Sequence, residues 1–154
     1  MTTHALVAAA VLTALLALAG PAQAQFSSVP SRTPIGDAGP RASDADVEQE
    51  YRIDAARHIY GAYPMRVYRG KMPPMLYSIM VVETELDARG NVLNVSVVRK
   101  PAADEVAPWV MAMIKRAGPF PPPTKFGASL ITRETWFVDR SGLFQLMTLT
   151  EGQR

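Results

Sequence analysis

A chain of 154 residues with 16 basic and 14 acidic side chains is close to neutral, and its Lys and Arg residues are scattered along its length. That distribution argues against nucleic-acid binding, which gathers cations along one element. With no Cys, the chain is neither a disulfide scaffold nor a candidate for lipid attachment at a leader Cys, so its fold must be held by its core alone.

In chain order, residues 1–24 read as a secretory signal peptide. Residues 5–20 carry no charged side chain, Gly20-Pro21 ends the run, and Ala22-Gln23-Ala24 places small residues where a signal peptidase reads before Gln25. The 16-residue apolar run falls short of the roughly 20 residues that span a bilayer. The opening Met-Thr-Thr-His lacks Lys and Arg, which leaves an uncleaved inner-membrane anchor as the alternative. If the leader is cleaved, no stable membrane span is expected. Residues 25–42, rich in Ser, Pro, Gly and Ala without hydrophobic periodicity, read as a flexible tail. Residues 43–150 read as one domain, long enough to fold alone.

Within that domain, Ser43 is placed to cap a helix running to Tyr60, with Val47, Tyr51, Ala55 and Ile59 recurring every four residues. Tyr63-Pro64 then enforces an extended turn. Residues 76–86 alternate as a strand, with Leu76, Ser78, Met80, Val82, Thr84 and Leu86 on one face. A turn with Gly90 at its tight position leads to a second strand over 92–99, with Leu93, Val95 and Val97 pointing one way. Asp104 is placed to cap a second helix, where Val106, Trp109, Val110, Met113, Ile114 and Ala117 form a wide apolar stripe. The run 119–123 is extended loop. Residues 129–138 form a third strand, with Leu130, Thr132, Glu134 and Trp136 opposed to Ile131, Arg133, Thr135 and Phe137; a fourth is expected over 143–149. The order predicts an α+β, two-layer domain: a three- to four-stranded antiparallel sheet with two helices packed on one face.

Catalytic groups are scarce. Beyond the leader, His58 is the one histidine, and only Asp54, one helical turn earlier, could orient it. A small enzyme built on His58 is the least favoured reading, because a His on the flank of an amphipathic helix needs no catalytic role. Glu83, Glu85 and Asp87 read as a solvated strand end. Trp109, Met111 and Met113 sit at helical spacing and read as core, whereas Trp136 reads as either core or part of an exposed binding edge. No catalytic residue, metal site or cofactor is therefore expected.

The span 63–137 resembles the TonB C-terminal domain family, which includes TonB- and TolA-like periplasmic domains. The resemblance is carried by Tyr63-Pro64 after a helix, by Leu86-Asp87-Ala88-Arg89-Gly90-Asn91-Val92 between strands and by Val95-Ser96-Val97-Val98. It continues through a helix ending Ala112-Met113-Ile114-Lys115-Arg116-Ala117, then Gly118-Pro119-Phe120-Pro121-Pro122-Pro123 and Thr135-Trp136-Phe137. Tyr63, Pro64, Gly90, Phe120 and Pro121 are its structural motif residues. Arg69-Gly70-Lys71-Met72-Pro73-Pro74 and Arg99-Lys100-Pro101 depart from the family pattern, and the strand after Gly142 is additional. The resemblance implies a periplasmic module that binds envelope proteins, such as an outer-membrane receptor or a second copy of itself, by adding a strand at a sheet edge. It puts that edge near Arg133, Thr135, Trp136 and Phe137, or at the strand after Gly142. A membrane-anchored short energy transducer for outer-membrane transport is the alternative. Even fully extended at about 3.5 Å per residue, however, residues 25–42 are too short a spacer to cross a periplasm.

Overall fold

The computed structural model describes residues 25–154, so the expected signal peptide lies outside the described residues. Helix α1 (Glu48–Ala62) buries Tyr51, Ala55, Ala56, Ile59 and Ala62, and Glu48 and Glu50 occupy its first turn, where the helix dipole favours carboxylates. It begins later than expected because the Ser43 hydroxyl is engaged elsewhere. Ser43 Oγ donates to Asp54 Oδ2 (2.7 Å) and accepts the Ala45 N–H (3.2 Å), and Val47, at the cap position, has extended backbone. The helix runs through Gly61 and stops against Pro64, which opens a single 3-10 turn, Pro64–Arg66. Helix α2 (Val106–Ala117) buries Val106, Trp109, Val110, Met113, Ile114 and Ala117, with Lys115 and Arg116 in its last turn. Its cap position is Glu105, not Asp104, and no side chain bonds there.

The strands are β1 (Ser78–Asp87), β2 (Val92–Arg99), β3 (Ser129–Val138) and β4 (Phe144–Leu146). They form one antiparallel sheet in the order β2-β1-β3-β4. Helix α1 packs on β3 and α2 on β2, which gives the expected two-layer α+β architecture. Along β1, Ser78, Met80, Val82, Thr84 and Leu86 turn into the core; along β3, Leu130, Thr132, Trp136 and Val138 do the same.

β2 departs from strict alternation. Its register against β1 shifts between Glu85 and Leu86 and again between Val81 and Val82. Each shift inserts an extra residue that bends the strand. Val92, facing Leu86, packs against the core, whereas Leu93, expected on the same face as Val95, is 56% exposed while Val95 is buried, and Val98 is 48% exposed. β4 is also shorter than expected, because a 3-10 turn at Met147–Leu149 takes over after three residues.

Residues 25–42, expected to be a flexible tail, lie along the domain. Phe26 is only 7% exposed, stacked on Tyr77 (5.6 Å between centroids) and edge-on to Trp109 (5.1 Å). A segment of polar composition thus docks through one aromatic anchor and backbone hydrogen bonds, neither of which requires periodicity.

The β1–β2 turn is fixed by Asp87, whose carboxylate accepts from the Arg89 and Asn91 N–H groups at 2.8 and 2.9 Å. Gly90 has φ of +83°, and a Cβ there would stand 2.0 Å from the Phe120 carbonyl oxygen. Gly90→Ala therefore combines left-handed backbone strain with a clash against main chain. We expect it to lower the unfolding free energy by more than about 2 kcal/mol, measured by denaturant titration.

Candidate functional site

A sheet meets partners at edges where backbone donors and acceptors lack a neighbour. β4 covers β3 only from Trp136 to Val138, pairing Trp136 with Leu146 and Val138 with Phe144. Residues 129–135 of β3 therefore have no strand on that side. Two of the N–H groups on that side, those of Arg133 and Thr135, are nonetheless occupied. Glu48 Oε1, from the first turn of α1, accepts the Thr132 hydroxyl (2.8 Å) and the Arg133 N–H (3.2 Å). Glu134 Oε1 accepts the N–H of Thr135 (2.9 Å) and of Thr148 (3.3 Å). The outer side of β4 is closed as well: the Tyr68 N–H donates to the Phe144 carbonyl at 2.8 Å, and the Gln145 amide donates to the Tyr68 and Gly70 carbonyls at 2.9 and 2.7 Å.

Three of the four residues expected at the partner edge are thus committed within the domain. Trp136 is 1% exposed, packed 4.6 Å from the Phe144 ring; it is core, and the expectation that it contacts a partner is corrected. Its bulk and its place on the inward side of an alternating strand explain the outcome. Thr135 spends its N–H on Glu134, and Phe137 is half-buried opposite Gln145. Arg133 is exposed on the far face of the sheet, where its guanidinium pairs with Glu83. The fourth strand after Gly142, the other expected edge, is covered.

β2 is different. It ends the sheet, and among the described residues its outer side has no strand neighbour. The Arg133 N–H turns away from β1 toward Glu48, so alternation along β3 and β1 turns the Asn94 and Ser96 backbone groups toward β1 and those of Val95 outward. Leu93 and Val98 stand beside that row, with Asn94 and Ser96 also exposed. This open, partly apolar edge is the surface that sequence reasoning missed; the run of β-branched residues ending at Arg99 was its signal.

The motif residues lie at the junctions between elements. Tyr63 is buried and donates its hydroxyl to the Met113 carbonyl (2.9 Å), Pro64 opens the 3-10 turn, and the Phe120 N–H donates to the Gly90 carbonyl (2.8 Å). The Pro121 carbonyl accepts from Tyr51 Oη at 2.7 Å. Their role in the structure is to join α1, α2 and the hairpin.

His58 belongs to the same joint. Its Nε2 lies 2.8 Å from the Ala117 carbonyl and its ring 4.9 Å from that of Phe120. Asp54 is taken by Ser43, so these side chains do not assemble a nucleophile, base and orienting acid. Among the described residues, no group of three or more His, Cys, Asp or Glu converges as metal ligands would, and no helix is long and apolar enough to cross a membrane.

Glu134 stands apart electrostatically. Its Oε2 is buried without a hydrogen-bond partner, beside a cavity of about 30 Å³ lined by Ala55, Ala56, Val82, Thr132 and Trp136. That volume admits a water or two and no larger ligand. Burial raises the Glu134 carboxyl above the ordinary range, against the hydrogen bonds of Thr148 and Thr135 and the charge of Arg52. Burial also opposes charge on Glu48, but Arg52, Thr132 and the Arg133 N–H hold its carboxyl below that range. The two capping carboxylates are therefore tuned in opposite directions.

No protein-family model, no curated protein and no solved structure matches the chain.

Two predictions follow from the titratable groups. A raised carboxyl pKa means that the folded state holds a proton the unfolded chain has released, so stability falls as pH rises through the folded pKa. Glu134→Gln, which keeps an acceptor for both N–H groups, is expected to gain stability relative to wild type as pH rises above about 4.5. Glu134→Ala leaves both donors unpaired and costs about 1–3 kcal/mol at all pH values; thermal melts across pH separate the two. For His58, burial lowers the pKa more than the Ala117 bond raises it, with Arg32 adding to the lowering. The unfolded chain then protonates first, and stability present above the ordinary imidazole pKa is lost as pH falls through it. The melting temperature of wild type should drop more between about pH 7.5 and 5 than that of His58→Gln, whose amide keeps a donor for Ala117.

Proposed function

We propose that this protein is an exported, periplasmic protein-interaction module, similar to the TonB C-terminal domain and not an enzyme. On this reading it binds an envelope protein by accepting an added strand along the outer edge of β2. The observation that supports it is the contrast between edges. Carboxylates occupy the outer N–H groups of Arg133 and Thr135 on β3, and the segment around Tyr68–Gly70 covers β4, whereas among the described residues the eight residues of β2 have no strand neighbour on their outer side. A partner strand laid there would exchange backbone hydrogen bonds with Val95, while Leu93 and Val98 would meet its side chains. The order of elements from Tyr63 to Phe137 also supports it. A periplasmic location rests on the sequence of residues 1–24.

The edge is tested by placing charge on its two exposed apolar side chains. Leu93→Lys with Val98→Lys should leave the fold and melting temperature nearly unchanged, because both side chains project into solvent. It should reduce capture of an envelope partner to about a tenth or less, read by crosslinked pull-down from envelope extract at low salt. Wild type that retrieves no envelope protein, or a double variant that retrieves it equally well, would count against the proposal.

A further inference from the structure

The segment that follows the expected leader is bound as a peptide ligand is bound. The Phe26 ring fills a slot between Tyr77, which it stacks on, and Trp109, which it meets edge-on. The next carbonyls are held by side-chain donors: Trp109 Nε1 donates to the Ser28 carbonyl at 3.2 Å, and Arg116 Nη1 to the Val29 carbonyl at 3.1 Å. At the far end, the Thr33 N–H donates to the Ala62 carbonyl at 2.7 Å. Ser27, Ser28, Ser31 and Thr33 are exposed.

We propose that this groove, walled by Tyr77, Trp109 and Arg116, is a second peptide-binding surface. Its ligand is an extended partner segment carrying an aromatic side chain, and residues 26–33 occupy it as an intramolecular competitor. The inference goes beyond the β2-edge reading and does not rest on it. Three features point to recognition that can be exchanged. The backbone is gripped through carbonyls, which every sequence offers, and selectivity falls on one aromatic slot. The strap contributes no strand to the sheet. It is joined to the domain by residues 34–42, mostly exposed and turning on a Gly39-to-Gly36 backbone bond. A tether of that length gives the strap a high local concentration, so a partner peptide binds weakly until the strap lifts.

The test uses a synthetic peptide with the sequence of residues 25–33, titrated against wild type and against Phe26→Ala. Binding is followed through the Trp109 indole and backbone amide resonances. The peptide should bind Phe26→Ala at least about tenfold more tightly than wild type, with shifts centred on Trp109, Tyr77 and Arg116 and not on β2. The same peptide with its Phe replaced by Ala should not bind, and one with Trp there should. A folded Phe26→Ala that binds no peptide overturns the proposal, as does equal affinity for the two proteins. If Phe26→Ala fails to fold, judged by circular dichroism, the strap is part of the core and the proposal also fails. If wild type forms a concentration-dependent dimer that Phe26→Ala abolishes, the groove belongs to the strap of a second copy, and the partner-peptide assignment is overturned.

Discussion

One hydrogen bond, with the loop that makes it, ties the hairpin turn to the helix layer. Four of the five residues from Pro119 to Pro123 are prolines, which have no N–H. The remaining donor, on Phe120, goes to the Gly90 carbonyl at the hairpin turn. The carbonyls of the run then serve the other layer: Pro121 accepts from Tyr51 of α1, and Pro122 from the Ser43 N–H. The Phe120 side chain, buried, lies against His58. A proline-rich run is therefore suited to this place, because it presents acceptors without donors that would need partners inside the fold. Gly90 is constrained by the same contact, since only a residue without Cβ permits the approach.

With the layers fixed, the treatment of the edges follows. α1 begins with Glu48 because Val47 is extended, and that start places the carboxylate over the uncovered part of β3. Glu134 reaches the same edge from within the strand and also binds the 3-10 turn that follows β4. Capping a strand with carboxylates satisfies its donors and discourages edge-to-edge pairing by negative charge. β2 has no such protection. Its two bulges twist the strand and turn Leu93 and Val98 outward, so the unguarded edge is also the one that presents apolar side chains. A domain that blunts one edge and leaves the other open is directional in what it can add.

The legible parts of this fold were those with a period. The α2 stripe and the alternation of β1 and β3 place nearly every buried residue correctly, because each needs only local geometry and one solvent boundary. The failures share a physical form. Alternation puts Leu93 on one face with Val95 because a bulge, which changes the period by one, leaves no mark in composition. Trp136 was left between core and edge because alternation gives its face but not what covers it. Glu134 lay on the inward face of its strand, a conflict between charge and burial that a sequence reading can detect; the N–H groups that resolve it come from elsewhere in the fold. Residues 25–42 looked unstructured because a single Phe among Ser and Pro carries too little average hydrophobicity to register, although one well-placed ring and a few backbone bonds suffice to hold the segment.

Tyr63, Pro64, Gly90, Phe120 and Pro121 sit at the junctions of the helices, the loop and the hairpin. They determine how the helices meet the hairpin and do not line either surface open to a partner. A framework of this sort constrains architecture more tightly than activity, since function resides in sites set upon a fold. In this chain the two open surfaces lie elsewhere, on the bulged β2 and in the groove filled by Phe26. Selectivity for any partner must then come from Leu93, Val98, Tyr77, Trp109 and Arg116, none of which the joint requires at its own contacts. The framework and the recognition surfaces can therefore change independently, and a relative that keeps the joint could bind through a different edge.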